Sequence, residues 1–301
     1  MPPRVTISEV SLRDGLQIEP IEAPTGTKIA LAAELARAGI TRIEVTGFVH
    51  PKVVPQFADA EAVLAGLARA PGVRHAAFVP NGRGAERAVA AGVDDLKCGV
   101  AASDSFNALN VRMTTEQGLR AVDDIARAAA GTAARIVGVV ATAFGCPYEG
   151  PVDPACVDRL FAQMLELGAP VIYLADTTGM ADPGTIHSTV QRLQHRWPDA
   201  RIGLHLHNTR GLGIANALAG LKCGVSDFEA SVGGLGGCPF APRAVGNVCT
   251  EDLVHMLRAM GIETGTDLDA LIAAAAQAQE AVGRVLPGMV LKAGKVTEGI
   301  Q

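Results

Sequence analysis

The sequence predicts an α/β fold, a (β/α)8 TIM barrel with additional C-terminal helices, and three observations carry that expectation. Short runs rich in β-branched residues alternate with longer Ala/Leu-rich stretches of helical period, the pattern of βαβ units around a parallel sheet. The runs number eight and spread over roughly 260 residues, close to the ~250 that such a barrel uses. No G-x-G-x-x-G follows the first run, which counts against an open dinucleotide-binding sheet.

The first run is VTISEV (5–10), and TKIALAAELARAG (27–39) follows it with apolar residues on one helical face and Gly39 at the C-terminal cap position. TRIEVT (41–46) and RHAAFVP (74–80) are the second and third strands, with Gly92 as the next cap. DLKCGVAA (95–102) leads to the helix-period stretch TTEQGLRAVDDIARAAA (114–130). RIVGVVAT (135–142) leads to VDPACVDRLFAQMLELG (152–168), which again ends on glycine. PVIYLADT (170–177), RIGLHLH (201–207) and DFEASV (227–232) complete the set, with Gly224 as the cap before the last. The tail from 264 to 289 reads as extra helix laid on the barrel. Residues 1–301 are therefore expected to form a single (β/α)8 catalytic domain, with 264–301 as a C-terminal helical extension.

Composition narrows the function classes. With 49% hydrophobic and 19% charged residues the chain can bury a large core and is too apolar to be disordered. The net charge of -5 is spread without a basic run, and aromatic residues are 4%, which argues against nucleic acid as a partner. Six cysteines, at 98, 146, 156, 223, 238 and 249, form no C-x-x-C pair, so reduced thiols are expected in place of a zinc ribbon or disulfide framework. MPPRVTISEV lacks the charged start and apolar core of a signal segment, and no apolar stretch approaches the ~20 residues that span a bilayer. A cytoplasmic location without a membrane partner is expected.

A barrel carries its chemistry at the carboxyl ends of its strands, so polar residues there are the candidates. Arg13 and Asp14 end the first strand, Glu44 lies in the second, Asp176 ends the sixth, His205 and His207 lie on the seventh, and Cys238 and Asn247 follow the eighth. His205 and His207 are two apart, so they leave the same face about 7 Å apart along the strand and can reach one cation. A hydrogen-bonded pair of histidines is the alternative. Asp14 offers a third ligand, although R-D-G also suits a turn; Asn247 offers a fourth, although it also suits the cap of the helix begun by TEDLVHML. Two imidazoles, a carboxylate and an amide oxygen suit Mg2+ or Mn2+, with Zn2+ and Co2+ as alternatives. A guanidinium at the mouth of an apolar barrel is costly unless it is paired or faces an anion. Glu44 can pair with Arg13, and an arginine so placed can stabilise a developing enolate. In VGGLGGCPFAP (232–242) the glycines allow close backbone approach or a mobile lid, and Cys238 is either a proton-exchanging thiol or incidental to the turn.

SLRDGLQIE (11–19), IEVTGFVHPKVVPQ (43–56), GCPYEG (145–150), LADTTG (174–179), HLHNT (205–209), GLGGCPFA (234–241) and GNVCTEDLVHML (246–257) occur in order over nearly the whole chain. Together they resemble the 3-hydroxy-3-methylglutaryl-CoA lyases, within a metal-dependent TIM-barrel group that includes isopropylmalate and homocitrate synthases. The resemblance implies a divalent cation, Mg2+ or Mn2+, on Asp14, His205, His207 and Asn247. It implies Arg13 as the group that stabilises the thioester enolate, Glu44 as its acidic partner, Asp176 as an active-site aspartate and Cys238 as the mobile-loop thiol. A base drawn from Asp14 or His205 removes the proton of the tertiary 3-hydroxyl. The implied reaction is a retro-Claisen cleavage of 3-hydroxy-3-methylglutaryl-CoA to acetyl-CoA and acetoacetate, with an acyl-CoA as the binding partner. Cleavage of a related thioester such as citramalyl-CoA is the near alternative. An aldolase or Claisen synthase is the farther one, and the chain is too short for the regulatory domain usual in the synthase branches. A homo-oligomer is compatible with the sequence. Asn208 stands where these lyases carry an aspartate, and Ala108 and Leu109 stand where they often carry lysines. These departures bear on metal tuning and on CoA contacts.

Overall fold

All eight predicted runs form strands in the computed structural model, which describes residues 1–237 and 245–296. The strands are β1 (Thr6–Glu9), β2 (Arg42–Gly47), β3 (Arg74–Phe78), β4 (Asp95–Ala101), β5 (Arg135–Ala141), β6 (Ile172–Asp176), β7 (Ile202–Leu206) and β8 (Asp227–Ala230). Each lies beside its sequence neighbour, and the sheet closes into a barrel through β1 and β8, paired in parallel from Thr6 with Asp227 to Glu9 with Ala230.

The helices are α1 (Thr25–Arg37), α2 (Ala60–Gly66), α3 (Gly82–Ala90), α4 (Asp104–Val111), α5 (Thr115–Ala129), α6 (Pro154–Glu166), α7 (Pro183–Arg196), α8 (Gly213–Lys222), α9 (Thr250–Ala259), α10 (Leu268–Val282) and α11 (Met289–Ala293). Their faces follow from the sequence. In α1 the buried residues are Lys28, Leu31, Ala32 and Leu35, the i, i+3, i+4, i+7 stripe of a helix lying on a sheet. Thr114 and Gln117 close a reciprocal capping box at the start of α5. The four predicted cap glycines, Gly39, Gly92, Gly168 and Gly224, have φ of 90°, 76°, 73° and 86°, the left-handed geometry that terminates a helix. Leu35, Ile43, Leu96, Leu160, Leu174 and Leu204 belong to the aliphatic core that joins strands to helices. No helix among the described residues is long and apolar enough to cross a membrane.

One detail differs from expectation. β1 stops at Glu9, and Arg13 and Asp14 sit in a one-turn π-helix, Ser11–Gly15, where the amides of Arg13 and Gly15 both donate to the Val10 carbonyl at 3.1 Å. The turn lifts both side chains over the barrel mouth. The tail forms two helices: Gly283, at φ 67°, ends α10, and Pro287 withholds an amide before α11 begins. α10 packs on α1 and on the short 3-10 turn Val232–Gly234 that follows β8.

Inside the barrel the strand alternation produces charged layers. At the amino-terminal end Asp95 accepts from Arg74 at 2.7 Å and Arg135 at 2.9 Å, and Asp227 accepts from Arg42 at 2.8 Å and Arg201 at 2.6 Å. One layer above lie Glu44, Lys97, Tyr173 and Glu229 around a cavity of about 80 Å³. Gly203 makes room there, since a Cβ on it would lie 2.5 Å from the Tyr173 ring. The catalytic mouth sits above this layer.

Candidate active site

β7 delivers His205 from its last turns, and the chain leaves the strand at His207, which bridges to Asn247 from the segment before α9. The two imidazoles face each other with Nε2 atoms 3.1 Å apart. Each ring has its other nitrogen engaged. His205 Nδ1 lies 2.8 Å from Glu229 Oε2, and His207 Nδ1 lies 3.4 Å from the Val245 carbonyl. Since a carboxylate and a carbonyl only accept, both Nδ1 atoms carry hydrogens and both Nε2 atoms present lone pairs to the same point. Two lone pairs in contact repel, and a cation between them removes the conflict.

Asp14 supplies the third donor. Its Oδ1 accepts from Arg13 Nη1 at 2.7 Å and Gln17 Nε2 at 3.0 Å, which leaves Oδ2 turned towards His207 Nε2 at 3.7 Å. Asp14, His205 and His207 present ligand atoms all within 4.8 Å of one another. The Asn247 amide hydrogens donate to Asp14 Oδ2 at 2.8 Å and to the Leu235 carbonyl at 3.0 Å. Asn247 Oδ1 is buried without a hydrogen-bond partner. An amide oxygen left bare beside a carboxylate and two imidazole lone pairs fits a divalent cation. Asn247 does not cap α9, whose cap residue is Cys249.

Burial works against ionisation of Asp14, but the Arg13 guanidinium, with the hydrogen bond from Asn247, outweighs it and holds its carboxyl well below the usual carboxylate range. Burial pushes His207 down to about 4, so it is neutral and able to ligate. Arg13 is fixed on three sides. Its Nε and Nη2 reach the Glu44 carboxylate at 2.5 and 3.2 Å, Nη1 reaches Asp14, and the guanidinium lies 5.1 Å over the Phe78 ring.

Asp176 is at the mouth but outside the donor cluster. Its Oδ1 accepts from the amides of Met180 at 2.7 Å and Ala181 at 3.1 Å, and Oδ2 has no partner. Burial raises its carboxyl to about 6, against the pull of those two amides. Cys238 lies outside the described residues. Asn208, the departure beside His207, turns away from the donors: its Oδ1 accepts from Gly213 N at 3.0 Å at the start of α8. Ala108 and Leu109 are both exposed on α4.

Sequence reasoning missed three groups. Glu229 orients His205, Lys97 binds Glu229 and Glu44, and Glu9 ties the site's loops together. The Glu9 carboxylate is fully buried and accepts from Ser11 N at 2.9 Å, Val232 N at 3.1 Å and Thr250 Oγ1 at 2.6 Å. It thus joins the turn that carries Arg13, the glycine-rich segment and the chain after Asn247. The signal was parity: Lys97 and Glu229 each stand two residues after an inward strand-start residue, Asp95 and Asp227, as Glu44 does after Arg42. Gly236, at φ 122°, completes the mouth, because a Cβ there would lie 2.4 Å from Asn247 Nδ2.

Residues 4–277 match the model of the HMGL-like family. The chain is 42% identical to the (R)-citramalyl-CoA lyase of Chloroflexus aurantiacus, over 97% of this chain and 95% of that protein. It is 40% identical to a hydroxymethylglutaryl-CoA lyase of Bacillus subtilis, over 98% of each. Among solved structures, an HMG-CoA lyase from Acinetobacter baumannii in complex with coenzyme A and 3-methylmalate superposes with a TM-score of 0.95 at 42% identity, covering 99% of this chain and 98% of that one.

Proposed function

Because the chain belongs to the HMGL-like family, we propose that it is a divalent-metal-dependent carbon-carbon lyase that cleaves 3-hydroxy-3-methylglutaryl-CoA to acetyl-CoA and acetoacetate. The observation that carries the reading is the meeting of two imidazole nitrogens, the Asp14 carboxylate and the bare Asn247 amide oxygen beside a locked arginine. Relatives named as lyases at 40–42% identity over nearly the whole chain support it. We assign residues 1–301 to one catalytic unit, with Mg2+ or Mn2+ on Asp14, His205, His207 and Asn247. When bound, such a cation supplies a Lewis acid that holds substrate oxygens and makes the tertiary hydroxyl acidic.

The protein's own groups do the rest. The 3-hydroxyl proton passes to a base drawn from Asp14 or His205: the Asp14 carboxylate lies beside both imidazoles, and His205, whose Nδ1 hydrogen is held by Glu229, would accept it at an Nε2 not engaged by the cation. The hydroxyl oxygen becomes the ketone oxygen of the departing product as the C2–C3 bond breaks. Its electron pair passes into the thioester as an enolate. Arg13, already fixed by Glu44 and Asp14, meets that charge without reorganising. Cys238 donates the proton that C2 needs to become the methyl of acetyl-CoA. Asp176 shapes the mouth through the turn it holds at Met180 and Ala181.

A second reading, cleavage of citramalyl-CoA to acetyl-CoA and pyruvate, is favoured by the 42% identity to the Chloroflexus enzyme of that name. Assay of both thioesters with Mg2+ and with Mn2+ decides between them. Acetoacetate release is expected, and pyruvate release with the first substrate left intact would transfer the assignment to the second.

A further inference from the structure

Below the mouth, where a barrel is normally filled by branched aliphatic side chains, β4 places an ammonium. Lys97 is 3% exposed, and its Nζ donates to Glu44 Oε2 at 2.8 Å and to Glu229 Oε2 at 2.6 Å. Its remaining side faces the Tyr173 ring, 5.8 Å from the centroid. Neither carboxylate oxygen belongs to Lys97 alone. Glu229 Oε2 also accepts from His205 Nδ1 at 2.8 Å, and Glu44 Oε2 also accepts from Arg13 Nη2 at 3.2 Å. One ammonium therefore stands midway along an unbroken chain, Arg13, Glu44, Lys97, Glu229, His205, that runs through the barrel interior and joins the two arms of the site.

Buried ion pairs seldom stabilise a fold more than well-packed apolar residues of the same volume. What such a pair does supply is fixed geometry. Removing Lys97 alone would leave two carboxylates in the barrel without the cation between them, and their mutual repulsion would turn Glu229 away from His205 Nδ1 and Glu44 away from Arg13.

We infer that Lys97 is a positioning residue for this reaction, holding Glu44 and Glu229 together so that Arg13 keeps its aim and the His205 ring its orientation. The inference rests on the roles of Arg13 and His205 under the lyase reading. It predicts that the damage done by losing Lys97 passes through the charge of Glu229, which no packing role would require.

The test compares wild type, Lys97→Met and Lys97→Met/Glu229→Gln, all as full-length protein. Mn2+ binding to metal-free protein is measured by calorimetry, alongside kcat, KM and thermal melting. Methionine keeps the unbranched stem, and glutamine keeps an oxygen for His205 Nδ1. Lys97→Met is expected to weaken Mn2+ binding and lower kcat by about 10- to 100-fold, with KM little changed. The double variant is expected to bind Mn2+ within about tenfold of wild type while kcat stays low, because Glu44 still lacks its ammonium. Wild-type metal binding and turnover in Lys97→Met would overturn the inference. So would a folded double variant whose Mn2+ affinity is as poor as that of the single, and this comparison stands against wild type if the single variant does not fold. Wild-type protein that binds no Mn2+ and cleaves neither thioester would instead overturn the lyase reading, and the inference with it.

Discussion

Arg13 shows how few groups decide the orientation of one side chain. Its Nε and Nη2 engage Glu44 as a fork, Nη1 takes Asp14, and Phe78 lies beneath the plane. A lysine keeps the charge but cannot make the fork and the Asp14 contact together. Arg13→Lys is expected to lower turnover by about 10²- to 10³-fold with little change in melting temperature, which steady-state assays and a thermal melt would check. The metal donors allow a second measurement that needs no substrate. Mn2+ at a hundred times its Kd should stabilise the metal-free protein by about 2.7 kcal/mol, read as a shift in urea unfolding between EDTA and Mn2+, and His207→Ala should abolish the shift. Asp14, His205, His207 and Asn247 were legible as a group because each is a polar residue at or beyond the end of a strand that should reach the barrel mouth. Lys97 and Glu229 were not, because a single charge inside DLKCGVAA or DFEASV can face inward or outward until the strand's first residue is known. Asn208 invited a reading at the metal, whereas its side-chain oxygen accepts from Gly213 N at the start of α8.

At the level of elements, the alternation of strand and helix was readable because each type carries its own period and its own glycine stops. The turn Ser11–Gly15 was less so. Its π-helical geometry arises from two amides sharing the Val10 carbonyl, and no residue pattern in SLRDG announces that. The junction of the glycine-rich 3-10 turn and α9 leads to a pH prediction. Glu251, in the first turn of α9, is fully buried, and both its oxygens lie 3.1 Å from Gly233 N. Burial raises its carboxyl from the ordinary 4.5 to about 7, against hydrogen bonds from Cys249 and Gly233. The folded state thus holds the proton more tightly than the unfolded state. Its contribution to stability is complete below about 4.5 and is lost as pH rises through about 7. Urea midpoints of metal-free protein should fall between pH 5 and pH 8, and Glu251→Gln, which keeps an acceptor for Gly233, should remove most of that fall.

On the scale of the whole molecule, the charged layer at the amino-terminal end ties strands that are distant in sequence. Asp227, at 0% exposure, is shared by Arg42 at the start of β2 and Arg201 just before β7. Asp227→Asn keeps the shape but removes the charge that two partly exposed guanidiniums share, so a loss of about 1–3 kcal/mol is expected in urea unfolding. The fold class could be read from eight runs, but this layer could not, because it needs the register of every strand at once. The closure of β1 on β8 has a consequence of another kind. Asp14 leaves the first strand and Asn247 follows the last, 233 residues apart, yet they share a hydrogen bond. The proposed cation site therefore straddles the seam of the ring, and with β8 undocked Asp14 would stand apart from the histidines of β7. During refolding, uptake of a divalent cation should mark the instant at which the ring shuts, whichever strands docked first.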